Sequence, residues 1–413
     1  MTQSATVDGS LVVRTRAVDL DVESLIDLLP DATPVTWLRR GEGLVGWGVA
    51  AMIRTSGPTR FSDADKWWSE LLARTEVVDD VNEPGCGPVC FGSFGFADEP
   101  GDSVLVLPRV IVGRRGSQSW VTTIGDDEVE LRPTSRADAP TISFADGALN
   151  GEQWMTVVAD AVARIDAGDL EKVVLARDLI ATADAPVDVR WPLTRLAESY
   201  PMCWTFSVDG MFGATPEMLV RRERGLVTSR VLAGTIRRTG DDNHDLALAA
   251  ALARSSKDLE EHEYAVRSVA EALEPHCSGM NVPDSPFVLH LPNVMHLATD
   301  VAGVVRDAET VSSLQLAESL HPSAAVGGTP TPQAVALISA IEGMDRGRYA
   351  GPVGWMDRNG DGEWGIALRS AELEGATVRL FAGCGIVGDS DPEAELAESQ
   401  AKFVPVRDAL GGY

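Results

Sequence analysis

Apolar positions along the first 145 or so residues come in short runs: LVVRTRAV, TWLRRG, GLVGWGVAAMI, VCFGSFGF, SVLVLPRVIVG and SWVTTIG. Gly, Pro and Asp punctuate them, and runs of that length bounded by turn residues predict strands. One stretch breaks the rhythm. At about 62–75, Trp67, Trp68, Leu71 and Leu72 form an apolar stripe at helical spacing. The segment 132–150, RPTSRADAPTISFADGALN, is polar and turn-rich, and it is expected to be an internal boundary or a long connection.

Beyond residue 150 the pattern sharpens. Trp154, Val157, Val158, Ala161, Val162 and Ile165 recur at helical spacing, and Gly168 stands where a C-cap belongs. KVVLARDLIAT (172–182) reads as a strand, and 204–235 as strands joined by turns. Residues 244–275 predict one or two long helices, VMHLATDVAGVV a strand, and TPQAVALISAIEGM another helix. GPVGWMDRNGDGEWGIALRSAEL and TVRLFAGCGIVG suggest adjacent antiparallel strands. Residues 391–410 close the chain as a helix, with Asp391 as N-cap and Pro392 at the first position. Helices and frequent hairpins alternate irregularly, which predicts an α+β fold with largely antiparallel sheet.

Composition narrows the function. The 413 residues carry 62 Asp+Glu against 35 Lys+Arg, a formal net charge of −27. A surface so acidic argues against nucleic-acid or anionic-membrane partners. The hydrophobic fraction of 44% and charged fraction of 23% are those of a folded globular chain. No stretch reaches the roughly 18 apolar residues of a membrane span. The first residues lack a basic region followed by an apolar core, so no signal peptide is expected. Cys86, Cys90, Cys203, Cys277 and Cys384 are scattered and odd in number, which fits a reducing cytoplasm better than a disulfide framework.

Several motifs imitate sites. Gly383-Cys384-Gly385-Ile386-Val387-Gly388 has the glycine spacing of a dinucleotide loop, but the remaining residues form one helix where a βαβ unit is required. Asp357-Arg358-Asn359-Gly360-Asp361-Gly362 opens like a calcium loop, yet its twelfth position is Leu368, so a hairpin turn is expected. Cys86 and Cys90 lack a second ligand pair. His262 is expected on the helix surface or supporting a site from behind.

The acidic residues repeat one spacing on two helices. Asp258 and Glu261 lie three apart, as do Glu395 and Glu398, with Lys402 four residues beyond. Each pair shares a helix face. The pairs are either solvated faces, with Glu398–Lys402 an ordinary ion pair, or two walls of a cleft holding a hard cation such as Mg²⁺.

The chain from about 150 to its end resembles the chorismate-utilising enzymes, which include isochorismate synthase, salicylate synthase and the large subunits of anthranilate and aminodeoxychorismate synthases. The matching motifs are EKVVLAR (171–177), FGATPEMLV (212–220), LAGTIRR (232–238), SSKDLEEHE (255–263), VMHLATDVAG (294–303), LHPSAAVGGTP (320–330), DRGRYAGPVGW (345–355), IALRSAEL (366–373) and GCGIVGDSDPEAELAESQAK (383–402). The resemblance implies two stacked, mostly antiparallel sheets flanked by helices. Residues 1–145 would be a divergent N-terminal part of the same fold, and 150–413 the chorismate-binding catalytic region. It implies Glu261 and Glu398 as direct Mg²⁺ ligands, with Asp258 and Glu395 acting through water. A divalent ion would invert the charge of an acid-rich site that must accept a dicarboxylate. Tyr349 and Arg369 match positions that hold the enolpyruvyl carboxylate, for which a bidentate guanidinium is suited. Gly234, Thr235, Gly383 and Gly385 match further substrate contacts, and Lys402 a position near the ring carboxylate.

Two residues then separate the branches. Lys172 matches the lysine of the water-using relatives, and Glu217 matches the general acid. Together they imply isochorismate synthase, an isomerase that adds water at C2 of chorismate as the C4 hydroxyl departs. A lysine serves as that base only when neutral, and Glu217 must start protonated. Salicylate synthase, which goes on to eliminate pyruvate, is the alternative; Ala325-Val326-Gly327 and the GPVGW run resemble isochorismate synthases more. An amine-adding synthase component is a further alternative. Leu232-Ala233-Gly234-Thr235 stands where aminodeoxychorismate synthases resemble PIKGT, so their nucleophilic lysine is absent. No amidotransferase partner is therefore expected, monomer is the default, and the product would serve menaquinone or siderophore biosynthesis.

Overall fold

In the computed structural model, residues 3–5, 11–30, 34–125, 129–290, 294–308 and 310–411 are described, apart from the side chains of 3–5, Thr235, Lys257 and Glu261. Among the described residues the strands form two sheets of 11 and 13 strands, paired antiparallel except for one parallel pair, Leu11–Ala17 with Thr75–Asp79. Alternation along single strands shows how the layers stack. Trp37, Leu44, Ile111 and Phe206 of the larger sheet pack with Phe91, Val104, Val106 and Trp355 of the smaller one in one central core. Their neighbours Leu38, Val45, Val110 and Val112 face the other way, onto the Arg190–Ser199 and C-terminal helices. Leu105 and Leu107 of the smaller sheet likewise face the Arg60–Leu72 helix. Both faces are thus buried in the middle of each sheet, while outer strands such as Ile142–Asp146 and Cys277–Asn281 stay largely exposed. Strands such as Val89–Ser93 and Ser103–Leu107 therefore read as continuous apolar runs.

The two halves of the sequence interleave within both sheets. Val89–Ser93 pairs with Pro352–Asp357, and Val35–Arg39 with Trp204–Val208. The predicted helices form at Arg60–Leu72, Gly151–Asp166, Thr331–Ile341 and Pro392–Gly411, the last with Asp391 accepting from the Ala394 amide at 2.9 Å. The 244–275 stretch divides into helices Asp242–Leu252 and Ser256–Leu273.

One expectation needs correction, two helices are added, and one open alternative is decided. The 132–150 segment is not all connection, because Ile142–Asp146 is a strand on the edge of Lys172–Ala183. Its side chains are mostly exposed, so no apolar alternation marked it. Helices Arg190–Ser199 and Ser313–Ser319 are additional; the first begins at an arginine and carries a proline, and the second is two turns long. His262 is buried rather than on the surface, with Nε2 2.7 Å from Thr299 Oγ1.

The imitation motifs resolve as structure. Residues 357–362 form a hairpin turn in which the Asp357 carboxylate accepts from the Asn359 and Asp361 amides at 2.8 and 3.2 Å. The strand holding Gly383 and Gly385 is antiparallel to both neighbours, unlike a dinucleotide fold. All five cysteines are free and buried. No helix among the described residues is long and apolar enough to cross a membrane.

Candidate active site

The floor of the site is the antiparallel pair of strands Lys172–Ala183 and Thr377–Ile386, in which Val174 opposes Gly385 and Ala176 opposes Gly383. Gly383 and Gly385 share one face, and Cys384, on the opposite face, is fully buried. Both glycines leave room for a side chain that crosses them. A Cβ at Gly383 would lie 2.9 Å from the Tyr349 hydroxyl, and one at Gly385 would lie 3.1 Å from Lys172 Cε. Lys172 and Tyr349 therefore cross the same bare patch of backbone.

Tyr349 is buried and stacked on Phe381, with ring centroids 5.0 Å apart and planes at 11°. Burial pushes its phenol up, so it stays a neutral hydrogen-bonding group. Two loop residues near it sit in the left-handed region, Ala350 at φ 62° and Arg369 at φ 49°. Each such non-glycine conformation costs about 1–3 kcal/mol and persists only where surroundings enforce it. Here the loops are laced together: the Ala350 amide donates to Ala367 O at 3.0 Å, and the Ala214 amide to Arg369 O at 3.2 Å.

Glu217 precedes the Met218–Glu223 strand, held by its amide bond to Thr215 Oγ1 at 3.2 Å and by its carbonyl, which accepts from Ile366 at 3.1 Å. Burial raises its carboxyl from 4.5 to about 7, against the opposing pull of Arg369, Lys172 and Lys402. The residue as a whole is half-buried. A carboxyl with this value carries a proton over much of the neutral range and can deliver it.

The acidic helices reach the same cleft from different sides. Strand Leu226–Arg237 shifts register between Ala233 and Thr235, and Gly234, at φ 76°, forms the irregularity. Asp258 packs on that glycine, its Oδ1 3.4 Å from where a Cβ would be. Glu261 lies in the same helix, and its side chain, like that of Thr235, lies outside the described residues. From the C-terminal helix, Lys402 donates to Glu398 Oε1 at 2.6 Å and to Gly383 O at 2.8 Å. Ser390 Oγ donates to Glu395 Oε1 at 2.9 Å. Burial, with Glu398 adding repulsion, raises Glu395. Glu398 is lowered although burial works against it, because Lys402 and Arg369 favour the anion.

His296 belongs to the site and was read only as part of a strand. It bonds to the Gly234 backbone, and burial, Arg369 and Lys402 lower it from 6.5 to about 4, so it is neutral at pH 7. The available signal was a polar ring in the middle of the apolar run VMHLATDVAGVV.

The donor set fits a hard divalent cation. Ligand atoms of Cys384, Glu395 and Glu398 lie within 4.8 Å of one another. Burial pushes the Cys384 thiol up to about 12, and the two carboxylates supply the oxygen donors. Oxygen donors suit Mg²⁺ rather than a thiophilic ion. The ammonium of Lys402 against Glu398 shows that this face already attracts positive charge.

Residues 35–411 match the family described as chorismate binding enzyme. The chain is 32% identical over 404 residues to isochorismate synthase MenF of Bacillus subtilis, covering 89% of this chain and 85% of that protein. It is 34% identical over 407 residues to the salicylate biosynthesis isochorismate synthase of Pseudomonas aeruginosa, covering 92% and 85%. Among solved structures, a putative 2,3-dihydroxybenzoate-specific isochorismate synthase, DhbC, from Bacillus anthracis superimposes with a TM-score of 0.79 at 32% identity, covering 94% of this chain and 98% of that one.

Proposed function

Because the chain belongs to the chorismate-binding enzymes, we propose that this cleft is the active site of an isochorismate synthase, an isomerase converting chorismate to isochorismate. The observation that carries the reading is Glu217: burial raises its carboxyl to about 7 although Arg369 and Lys402 pull the other way. An acid that holds its proton beside cations suited to a dicarboxylate is what protonation of a leaving hydroxyl demands.

Arg369 and Tyr349 hold the enolpyruvyl carboxylate, the guanidinium by two parallel bonds and the neutral phenol by donating one. Lys402 lies toward the ring carboxylate, with the backbone at Gly234, Thr235, Gly383 and Gly385 approaching closely. Asp258, Glu261, Glu395 and Glu398 are the residues that would hold Mg²⁺, which supplies positive charge to a dicarboxylate entering an acid-lined cleft. Lys172, in its neutral form, takes a proton from water as its oxygen bonds to C2. The C1=C2 and C5=C6 double bonds shift to C1=C6 and C4=C5, the C4–O bond breaks, and Glu217 protonates the departing hydroxyl. Lys172 ends with one proton more and Glu217 with one fewer, and exchange with solvent resets both.

The chain is proposed to act in the cytoplasm on its own, without an amidotransferase. The test incubates the purified protein with chorismate and Mg²⁺ and separates the products. Isochorismate supports the proposal. Salicylate with pyruvate, or aromatic amine formed with ammonia, replaces it with the corresponding relative's reaction.

A further inference from the structure

The strand that begins at Lys172 is completed along one edge by side chains instead of by a neighbour. On its other edge it is paired from Val173 to Thr182 with Thr377–Ile386. On this edge Gly328–Thr329 pairs only with Lys172 and Val173, and Ile142–Asp146 begins only opposite Leu179. Across the gap, the Val174 amide donates to Gly327 O at 2.9 Å, and Arg346 Nη2 donates to Val174 O at 2.6 Å. The Ala176 amide donates to Glu342 Oε1 at 2.6 Å, and Trp154 Nε1 to Ala176 O at 3.2 Å.

Glu342 and Arg346 are one helical turn apart in sequence and buried, at 1% and 3% exposure, with Arg346 Nε donating to Glu342 Oε2 at 2.8 Å. Arg346 also donates from Nη1 to Val326 O at 2.9 Å, and its own carbonyl accepts from the Tyr349 amide at 3.0 Å. Its guanidinium lies over the Phe96 ring, 4.3 Å from the centroid.

Resting on the active-site reading above, we infer that Glu342 and Arg346 form a positioning bracket that sets where Lys172 and Tyr349 stand in the cleft. Neither reaches the reacting atoms. The guanidinium fixes two pieces of backbone at once, the strand two residues from the base and the Val326–Gly328 stretch paired with that strand, while the carbonyl of the same residue accepts from the turn carrying the substrate tyrosine. A buried ion pair is a poor source of stability, since apolar residues of similar volume usually serve as well or better. What apolar residues cannot do is aim five donors at chosen carbonyls. A base displaced by about 1 Å loses on the order of 10²-fold in rate.

That difference defines the experiment. The double variant Glu342→Leu/Arg346→Met keeps volume and removes aim, and Arg346→Lys keeps charge and removes the fork. Turnover of chorismate, KM and the thermal midpoint are measured for both and for Glu342→Gln, which retains the oxygen that accepts from Ala176. The expected result is a kcat lower by about 10²-fold in the folded double variant with KM changed by less than about threefold. Arg346→Lys should be impaired in kcat too, and Glu342→Gln should retain most of it. Wild-type kcat in the folded double variant or in Arg346→Lys overturns the bracket, as does a loss confined to KM. If the double variant does not fold, Arg346→Lys decides by the same criteria. Wild-type turnover is the internal control: without it the proposed reaction fails, and with it the variants judge the bracket alone.

Discussion

The Glu217 corner and the Glu398 face of the cleft share two cations, Arg369 and Lys402, yet their carboxyls are driven in opposite directions. At Glu217 burial outweighs the surrounding positive charge and the value rises to about 7. At Glu398 burial is also the largest single influence, but a direct bond from Lys402 at 2.6 Å joins the more distant charges and reverses the outcome. Contact, more than sign, decides. A cation held at hydrogen-bond distance offsets desolvation where cations further away do not. One residue type thereby yields two tools, a proton donor on one side and an anion that attracts a cation on the other.

The sharpest break in that division comes from the reacting pair. Lys172→Ala and Glu217→Gln should each lower kcat by about 10²–10⁴-fold while chorismate and Mg²⁺ still bind, as measured by steady-state kinetics beside calorimetry. If Lys172→Ala still incorporates labelled solvent oxygen at C2 at the wild-type rate, the lysine is not the base. Next in size, Glu398→Gln should weaken Mg²⁺-dependent chorismate binding by about 10–100-fold, and chelation should stop turnover. Undiminished activity after exhaustive chelation returns the acidic face to ordinary surface charge.

Arg369→Lys should lower kcat/KM by about tenfold, because a point charge cannot reproduce two parallel hydrogen bonds. Kinetics equal to wild type would remove Arg369 from the carboxylate. The smallest effect is on pH dependence. The kcat limb assigned to Glu217 should fall as pH rises through about 7, since the acid form delivers the proton. Its folded value exceeds the unfolded 4.5, so the folded chain holds more protons between those values, and stability declines as pH rises from about 4.5 to about 7. Glu217→Gln should flatten that part of a thermal-midpoint profile; an unchanged slope would place the burial elsewhere.

Much of this was legible along the chain because periodicity and caps are local. The helix beginning at Asp391 and Pro392 and the strand at Lys172 follow from their own residues. The edge strand Ile142–Asp146 was illegible for the complementary reason: exposed on most of its side chains, it is a strand only because Lys172–Ala183 offers an unpaired edge. The acid spacing was visible in sequence, but spacing alone favoured solvated faces over a cation site. Resemblance tipped that balance, and the cleft supplied the geometry.

What the sequence by itself determined was the alternation of strands and helices, the family motifs, and the residue types able to grip a dicarboxylate and move protons. Only the tertiary structure decided their states. Glu217 keeps a proton because strands distant in sequence shield its carboxyl from water. Glu398 loses one because Lys402 is held between it and Gly383 O. His296 is neutral because folding buries it near Arg369 and Lys402, which together outweigh its bond to the Gly234 backbone. The physical reason is common to all three: a side chain's chemistry is intrinsic, whereas its protonation depends on desolvation and on charges brought near by folding.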